Sequence, residues 1–154
     1  MDPEKNIETT YYNSSYRHGV DDKRRIQIPA KWRPSKDGVE FTLILWPKSK
    51  EGPCLRVLPP QEMAELMRDI DAMPNGDPSK VVLKRFIGSE SVQVALDKAG
   101  RICLPEEMAG AAGIKDEAVL VGLLDRFEIW NPERFGKVRA SDAVMAQEAF
   151  KMME

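Results

Sequence analysis

Asp21-Asp22-Lys23-Arg24-Arg25-Ile26-Gln27-Ile28-Pro29 recurs as Asp97-Lys98-Ala99-Gly100-Arg101-Ile102-Cys103-Leu104-Pro105. Both copies fit Asp-x-x-x-Arg-Ile-x-(Ile/Leu)-Pro. They begin 76 residues apart in a chain of 154, about half its length. A repeat at that distance constrains the chain to two related halves, each carrying the same turn. In each copy an acid and an arginine flank a tight turn between apolar strands. Such a device positions a basic side chain; it does not assemble a catalytic site.

The surrounding pattern repeats as well. Tyr16–Val20 and Arg25–Ile28 read as strands joined by the Asp21–Arg24 turn, and Pro29 opens a short helix that Pro34 stops. Val39–Trp46 and Cys54–Leu58 read as buried strands around a Lys48–Pro53 turn. A helix follows from Pro60, with Met63, Leu66, Met67, Ile70 and Met73 on one apolar face. Asp77 and Pro78 start the next helix, which Gly88 ends. The second half repeats the plan with strands Ser91–Leu96, Arg101–Leu104, Glu117–Leu124 and Arg126–Trp130, and a short helix from Pro105 to Gly113. Asn131 and Pro132 start a C-terminal helix, and Ser141 or Asp142 offers a second cap at which it could break. The polar stretch 1–13, without apolar periodicity, reads as a flexible N-terminal arm.

Charge narrows the function classes. The chain carries a net −2. Yet the stretch from Tyr16 to Lys36 holds Arg17, Lys23, Arg24, Arg25, Lys31, Arg33 and Lys36 against only Asp21 and Asp22, a local excess of +5. A localised anion-binding surface on an acidic body has this signature, and so does a solvated basic face without a partner. No run of 18 apolar residues suggests a membrane span, and the N-terminus lacks the pattern of a secretory signal. Cys54 and Cys103 lie in apolar runs and read as buried, reduced thiols of a cytosolic protein. One histidine, His18, and two scattered cysteines leave no metal set, and no cofactor is expected. There is no nucleophile–base pairing and no glycine loop for phosphate. Asp21-Asp22 adjoins three cations and titrates low, which disfavours acid–base catalysis.

Within each turn the aspartate accepts backbone N–H groups and reaches the arginine four residues on. Two readings stand. The pair is a hairpin staple, or it holds an arginine ready for a phosphate or a guanine edge. Three consecutive cations repel one another, so stability gives little reason for the first turn, which is read as binding. The second turn has fewer charges and is read rather as a staple. Arg24 stands where the second copy has Gly100; if the two backbones match, Arg24 adopts a positive φ at a cost of roughly 1–2 kcal/mol.

Tyr16-Arg17-His18-Gly19-Val20-Asp21-Asp22-Lys23-Arg24-Arg25, followed by Ile28-Pro29-Ala30-Lys31-Trp32-Arg33, resembles the first signature of the MraZ family. Those proteins are bacterial transcriptional regulators of the division and cell-wall operon, within the SpoVT/AbrB class. Asp97-Lys98-Ala99-Gly100-Arg101, then Val121-Gly122 and Phe127-Glu128-Ile129-Trp130, resembles the second signature. The likeness runs from about Tyr12 to Phe135. It implies an α+β fold: a swapped-hairpin, AbrB-like β-barrel formed by two repeated halves, with peripheral helices. The expected divisions are the arm 1–13, repeat 15–62, a helical connector 63–90, repeat 91–134 and a C-terminal helix 135–154.

The resemblance further implies ring-shaped homo-oligomers that bind double-stranded DNA carrying direct repeats upstream of their own operon, in the cytoplasm and on the nucleoid. Neither a membrane nor a small-molecule ligand is expected. The family's loop arginine and lysine fall on Arg25 and Lys23. Together with the charge distribution, the expected DNA-binding set is Arg17, Lys23, Arg24, Arg25, Lys31, Arg33, Lys98 and Arg101, with Asp21 and Asp97 stabilising the turns. Two departures stand out: Arg24 replaces the family's usual loop glycine, and Asn13 lies near a position where the family often has arginine. The other reading is a protein-interaction module, antitoxin-like or a ring scaffold for a neighbouring enzyme.

Overall fold

The computed structural model describes residues 10–47 and 49–153. In chain order the elements are β1 (Ser15–Gly19), β2 (Arg25–Gln27), β3 (Glu40–Trp46), β4 (Cys54–Leu58), α1 (Pro60–Asp71), α2 (Pro78–Ser89), β5 (Ser91–Ala95), β6 (Arg101–Cys103), α3 (Glu106–Ala111), β7 (Glu117–Gly122), β8 (Phe127–Trp130) and α4 (Pro132–Lys151). A one-turn 3-10 helix, Ala30–Trp32, follows β2.

The strands form an antiparallel six-stranded sheet, ordered β1-β7-β8-β4-β3-β5, and a separate two-stranded ribbon, β2-β6. The halves exchange partners: β1 pairs with β7, β5 with β3, and β2 with β6. The hairpins β3–β4 and β7–β8 meet through β4 and β8. Both junctions are symmetric in register, the sheet about Arg56↔Glu128 and the ribbon about Ile26↔Ile102. The sheet is open. Among the described residues no ladder joins β1 to β5, because each of these strands turns into a loop whose return strand pairs with the other half's return strand. The fold is therefore α+β with a large antiparallel sheet and four helices, without the closed sheet of the expected barrel.

Burial explains the strand sequences. β3 and β4 are covered on both faces and read as nearly continuous apolar runs. One face carries Phe41, Leu43, Leu55, Val57 and Phe127, which pack with Ile26 and Ile102 from the ribbon and with Trp32. On the other face Ile44 and Leu58 meet Ile70 of α1 and Ile87 of α2. The edge strands β1 and β5 are never fully buried. Helix starts follow the expected chemistry: Asp77 accepts from the Ser79 N–H at 2.8 Å, Asn131 accepts from the Arg134 N–H at 2.9 Å, and proline occupies the first turn after each.

Several expectations are corrected. Residues 1–9 of the arm and Lys48 of the turn lie outside the described residues. Tyr12, assigned to the arm, is buried, exchanges backbone hydrogen bonds with Leu124, and packs on Trp32 and Phe127. Burial and the nearby charge of Glu62 push its phenol up to about 12. α4 is unbroken; Ser141 and Asp142 are exposed and so do not compete with the helix backbone. Met67 faces solvent, not the α1 core. Cys103 is exposed, because strand alternation turns Ile102 inward and its neighbour outward. Cys54 is buried, and burial raises its thiol pKa.

Candidate nucleic-acid interface

The two turns are the same structure. Asp21 Oδ1 accepts from the Lys23 and Arg25 N–H groups at 3.0 and 2.8 Å, and Oδ2 accepts from Arg25 Nε at 2.7 Å. Asp97 does the same for Ala99 and Arg101, at 2.9, 2.9 and 3.0 Å. Backbone bonds Arg24 N–H to Asp21 O and Gly100 N–H to Asp97 O close each loop. The fourth residue of each lies in the left-handed region, Arg24 at φ +59° and Gly100 at φ +78°. A tight turn ending in one left-handed residue is a common way to close a hairpin, and it favours glycine. The backbones match, so Arg24 does carry the positive φ.

Electrostatics follow from these bonds. The Arg25 N–H is the main cause holding the Asp21 carboxyl below the usual aspartate range, and the Arg101 N–H does this for Asp97. Arg25 is raised by its bond to Asp21 and also feels the charge of Asp97 across the ribbon. Counted loop by loop, Asp21–Arg25 has three cations and two acids while Asp97–Arg101 has two and one, so each nets +1. The apparent charge advantage of the first loop disappears at this scale.

The ribbon sets both loops on one surface. In its register Arg25 faces Cys103 and Gln27 faces Arg101, while Ile26 and Ile102 form the inward pair. Paired residues of antiparallel strands share a face, so Arg25, Gln27, Arg101 and Cys103 all look outward. The side chains of Arg25 and Arg101 are about equally exposed, at 32% and 31%. Each loop tip is held by the opposite strand: Gln27 Nε2 donates to Ala99 O at 2.7 Å, and Cys103 Sγ donates to Lys23 O at 3.3 Å. Gln27 was absent from the expected set. Its signal was available, since it lies two residues from Arg25 on the same strand.

The remaining expected residues divide. Lys23, Lys31 and Lys98 are exposed. Arg17 is in a bidentate pair with Glu117 between β1 and β7, at 2.9 and 3.0 Å; the bond raises Arg17 and lowers Glu117. Arg24 Nε donates to Leu104 O at 3.0 Å, and Arg33 Nε donates to Ile28 O at 2.8 Å. The +5 segment is therefore not one continuous patch of unengaged cations. Among the described residues no group of acids, histidines and cysteines could hold a metal ion, and no helix is long and apolar enough to cross a membrane.

Comparison with known proteins places this architecture. The chain is 35% identical over 141 residues to the transcriptional regulator MraZ of Roseiflexus castenholzii, covering 90% of this chain and 94% of that protein. The chain belongs to the MraZ family. The MraZ proteins of Caulobacter vibrioides and Leuconostoc mesenteroides, also named transcriptional regulators, are 32% and 29% identical. The alignments cover 88% of this chain and 86% of the Caulobacter protein, and 86% and 89% for the Leuconostoc pair. A family model described as "MraZ protein, putative antitoxin-like" matches residues 87–152. That span includes the Asp97–Arg101 loop, the second of the two MraZ-like signatures.

Proposed function

We propose that the chain is a sequence-specific DNA-binding transcriptional regulator, and that the outward face of the β2–β6 ribbon is its reading surface. One observation carries the reading: two Asp-clamped arginines, Arg25 and Arg101, stand on the same face of a two-stranded ribbon. The major groove of B-DNA is wide enough to admit such a ribbon, and arginine is the side chain best matched to a guanine edge. The register separates the Cα atoms of Arg25 and Arg101 by roughly 8 Å along the diagonal, about two base-pair steps. Lys23 and Lys98 at the loop tips supply phosphate contacts, and Lys31 adds electrostatic attraction. The names of the MraZ relatives support the regulatory role, and the cytoplasmic, nucleoid-associated setting follows from it.

A single ribbon is too small for tight binding. Several ribbons on a ring of identical chains, set against repeated boxes upstream of the chain's own operon, gain from effective concentration. Self-association through α2 and α4 is supported by Val81, Val82 and Phe86 on the first and by Val144, Met145 and Phe150 on the second, all exposed. The ribbon over the sheet, with its hairpins exchanged between the halves, is the basis for reading the core as a swapped-hairpin barrel type.

The test is fluorescence anisotropy with the upstream DNA across a salt series. Wild type weakens steeply with salt, by about 0.9 in logarithmic slope for each phosphate neutralised. Arg25→Ala and Arg101→Ala each weaken binding about tenfold or more, and by similar amounts. Wild-type affinity in both variants would remove the ribbon from the interface. Capture of a protein partner that survives nuclease treatment, with no DNA binding, would instead favour the interaction-module reading.

A further inference from the structure

The two loops meet equivalent surroundings, and each place contains one guanidinium that comes from a different sequence position. At the first, the left-handed residue is Arg24. Its carbonyl accepts from the Leu104 N–H at 2.8 Å, and its own Nε donates to Leu104 O at 3.0 Å. At the second, the left-handed residue is Gly100. Its carbonyl accepts from the Ile28 N–H at 2.9 Å, and here the donor to Ile28 O is Arg33 Nε at 2.8 Å. Ile28 and Leu104 are the matching residues of the two motifs.

The space explains the exchange. A Cβ on Gly100 would overlap the guanidinium carbon of Arg33. A side chain on the second loop would therefore displace the Arg33 guanidinium from its seat on Ile28 O. The residue that matches Arg33 in the second half is Ala109, which is buried and brings no guanidinium to the first loop. Each place holds one guanidinium: from the loop residue where the flank is alanine, from the flank where the loop residue is glycine.

We propose that Arg24 and Arg33 are a matched pair of positioning residues: Arg24 ties its own loop to Leu104 O, Arg33 packs its guanidinium over Gly100 while bonded to Ile28 O, so that Arg25 and Arg101 are presented alike, and neither neutralises a DNA phosphate. This rests on the DNA-binding reading only for its last clause. Arg33 also borders, with Lys36 and Lys98, a cavity of about 170 Å³. A phosphate seated there would make Arg33 a contact residue, so the salt series has to separate the two roles.

The experiment uses Gly100→Arg, Arg33→Ala, the double variant of these two, and Arg24→Ala, all in the full chain, followed by thermal unfolding and by anisotropy with the upstream DNA. Gly100→Arg alone drops the Tm by roughly 5 °C or more through overpacking. The double variant rebuilds at the second loop the arrangement of the first, and it regains at least half of that loss. If Gly100→Arg does not fold, recovery of folded protein in the double variant is the expected result. A double variant no more stable than Gly100→Arg, or no better folded, overturns the exchange. In the salt series Arg33→Ala and Arg24→Ala weaken binding with an unchanged slope; a slope shallower by about 0.9 or more identifies a phosphate contact and overturns the positioning role. If the wild type itself does not bind DNA, the regulatory reading falls, while the thermal coupling still decides the exchange.

Discussion

The Asp21–Arg25 and Asp97–Arg101 loops share every closing hydrogen bond but take their bracing guanidinium from different positions. The same contrast recurs on the symmetry axis of the sheet. Arg56 of β4 and Glu128 of β8 occupy matching places in the two halves and lie directly opposite each other, with Arg56 Nη2 2.8 Å from Glu128 Oε2. In an assembly of two identical units, each of these residues would face its own copy, arginine on arginine or glutamate on glutamate. Joining both halves in one chain lets the copies diverge and turns an unfavourable encounter into an ion pair. Duplication preserved the backbone and freed the side chains to become complementary.

The largest expected effect tests that divergence. The pair is mostly buried, Glu128 also accepts from the Trp130 indole N–H at 2.9 Å, and Arg56 stacks 3.9 Å over the Trp46 ring. Removing one partner leaves a poorly solvated charge. Arg56→Ala is expected to destabilise by about 3 kcal/mol, a Tm drop of roughly 6–12 °C. Replacing both partners by apolar residues, Arg56→Met with Glu128→Leu, recovers much of the loss, because no charge is then left unpaired. An equally damaging double variant would mean that packing, rather than charge complementarity, holds the axis.

What could be read in advance was mostly local. The aspartate clamps, the proline and asparagine helix starts, the buried β3 and β4, and the left-handed Arg24 all depend on neighbours within a few residues. What was missed depends on contacts across the halves. Arg24 looked like a free cation, but it donates to the Leu104 carbonyl, which only the fold brings near. Arg33 is the exception: it donates within its own half, to the Ile28 carbonyl five residues back. Arg17 counted toward a basic patch until β1 paired with β7 and set it beside Glu117. Sheet closure was the hardest feature to foresee: whether β1 and β5 join is decided by where β2 and β6 pair, and no local pattern encodes that choice.

An intermediate effect concerns acid. Both loop aspartates are held below their usual range by backbone and side-chain hydrogen bonds, so the folded loops bind protons less readily than the unfolded chain. Their contribution is fully present above about pH 4 and is lost as pH falls through the lowered folded values. Amide proton shifts of Arg25 and Arg101, followed from pH 7 downward by NMR, should stay flat to about pH 4 and then move together. Asp21→Asn removes the transition from the first loop alone, and Asp97→Asn from the second. Transitions well apart in pH would show that the loops, alike in geometry, differ in electrostatics.

The smallest expected effect is the most specific to Arg24. Two terms oppose each other at this position. The left-handed backbone costs a non-glycine residue roughly 1 kcal/mol, and the bond to Leu104 O returns about the same. Arg24→Gly relieves the first and loses the second, so its stability should stay within about 1 kcal/mol of wild type. Arg24→Ala loses the bond and keeps the strained backbone. Alanine should therefore be the worse replacement by about 1 kcal/mol, the reverse of the order in a helix. Chemical unfolding of both variants measures the difference directly. If alanine equals or exceeds glycine, the first loop has relaxed out of the left-handed conformation once the guanidinium is gone. The Leu104 bond would then be what holds Arg24 there, and the likeness of the two loops would be imposed from across the ribbon.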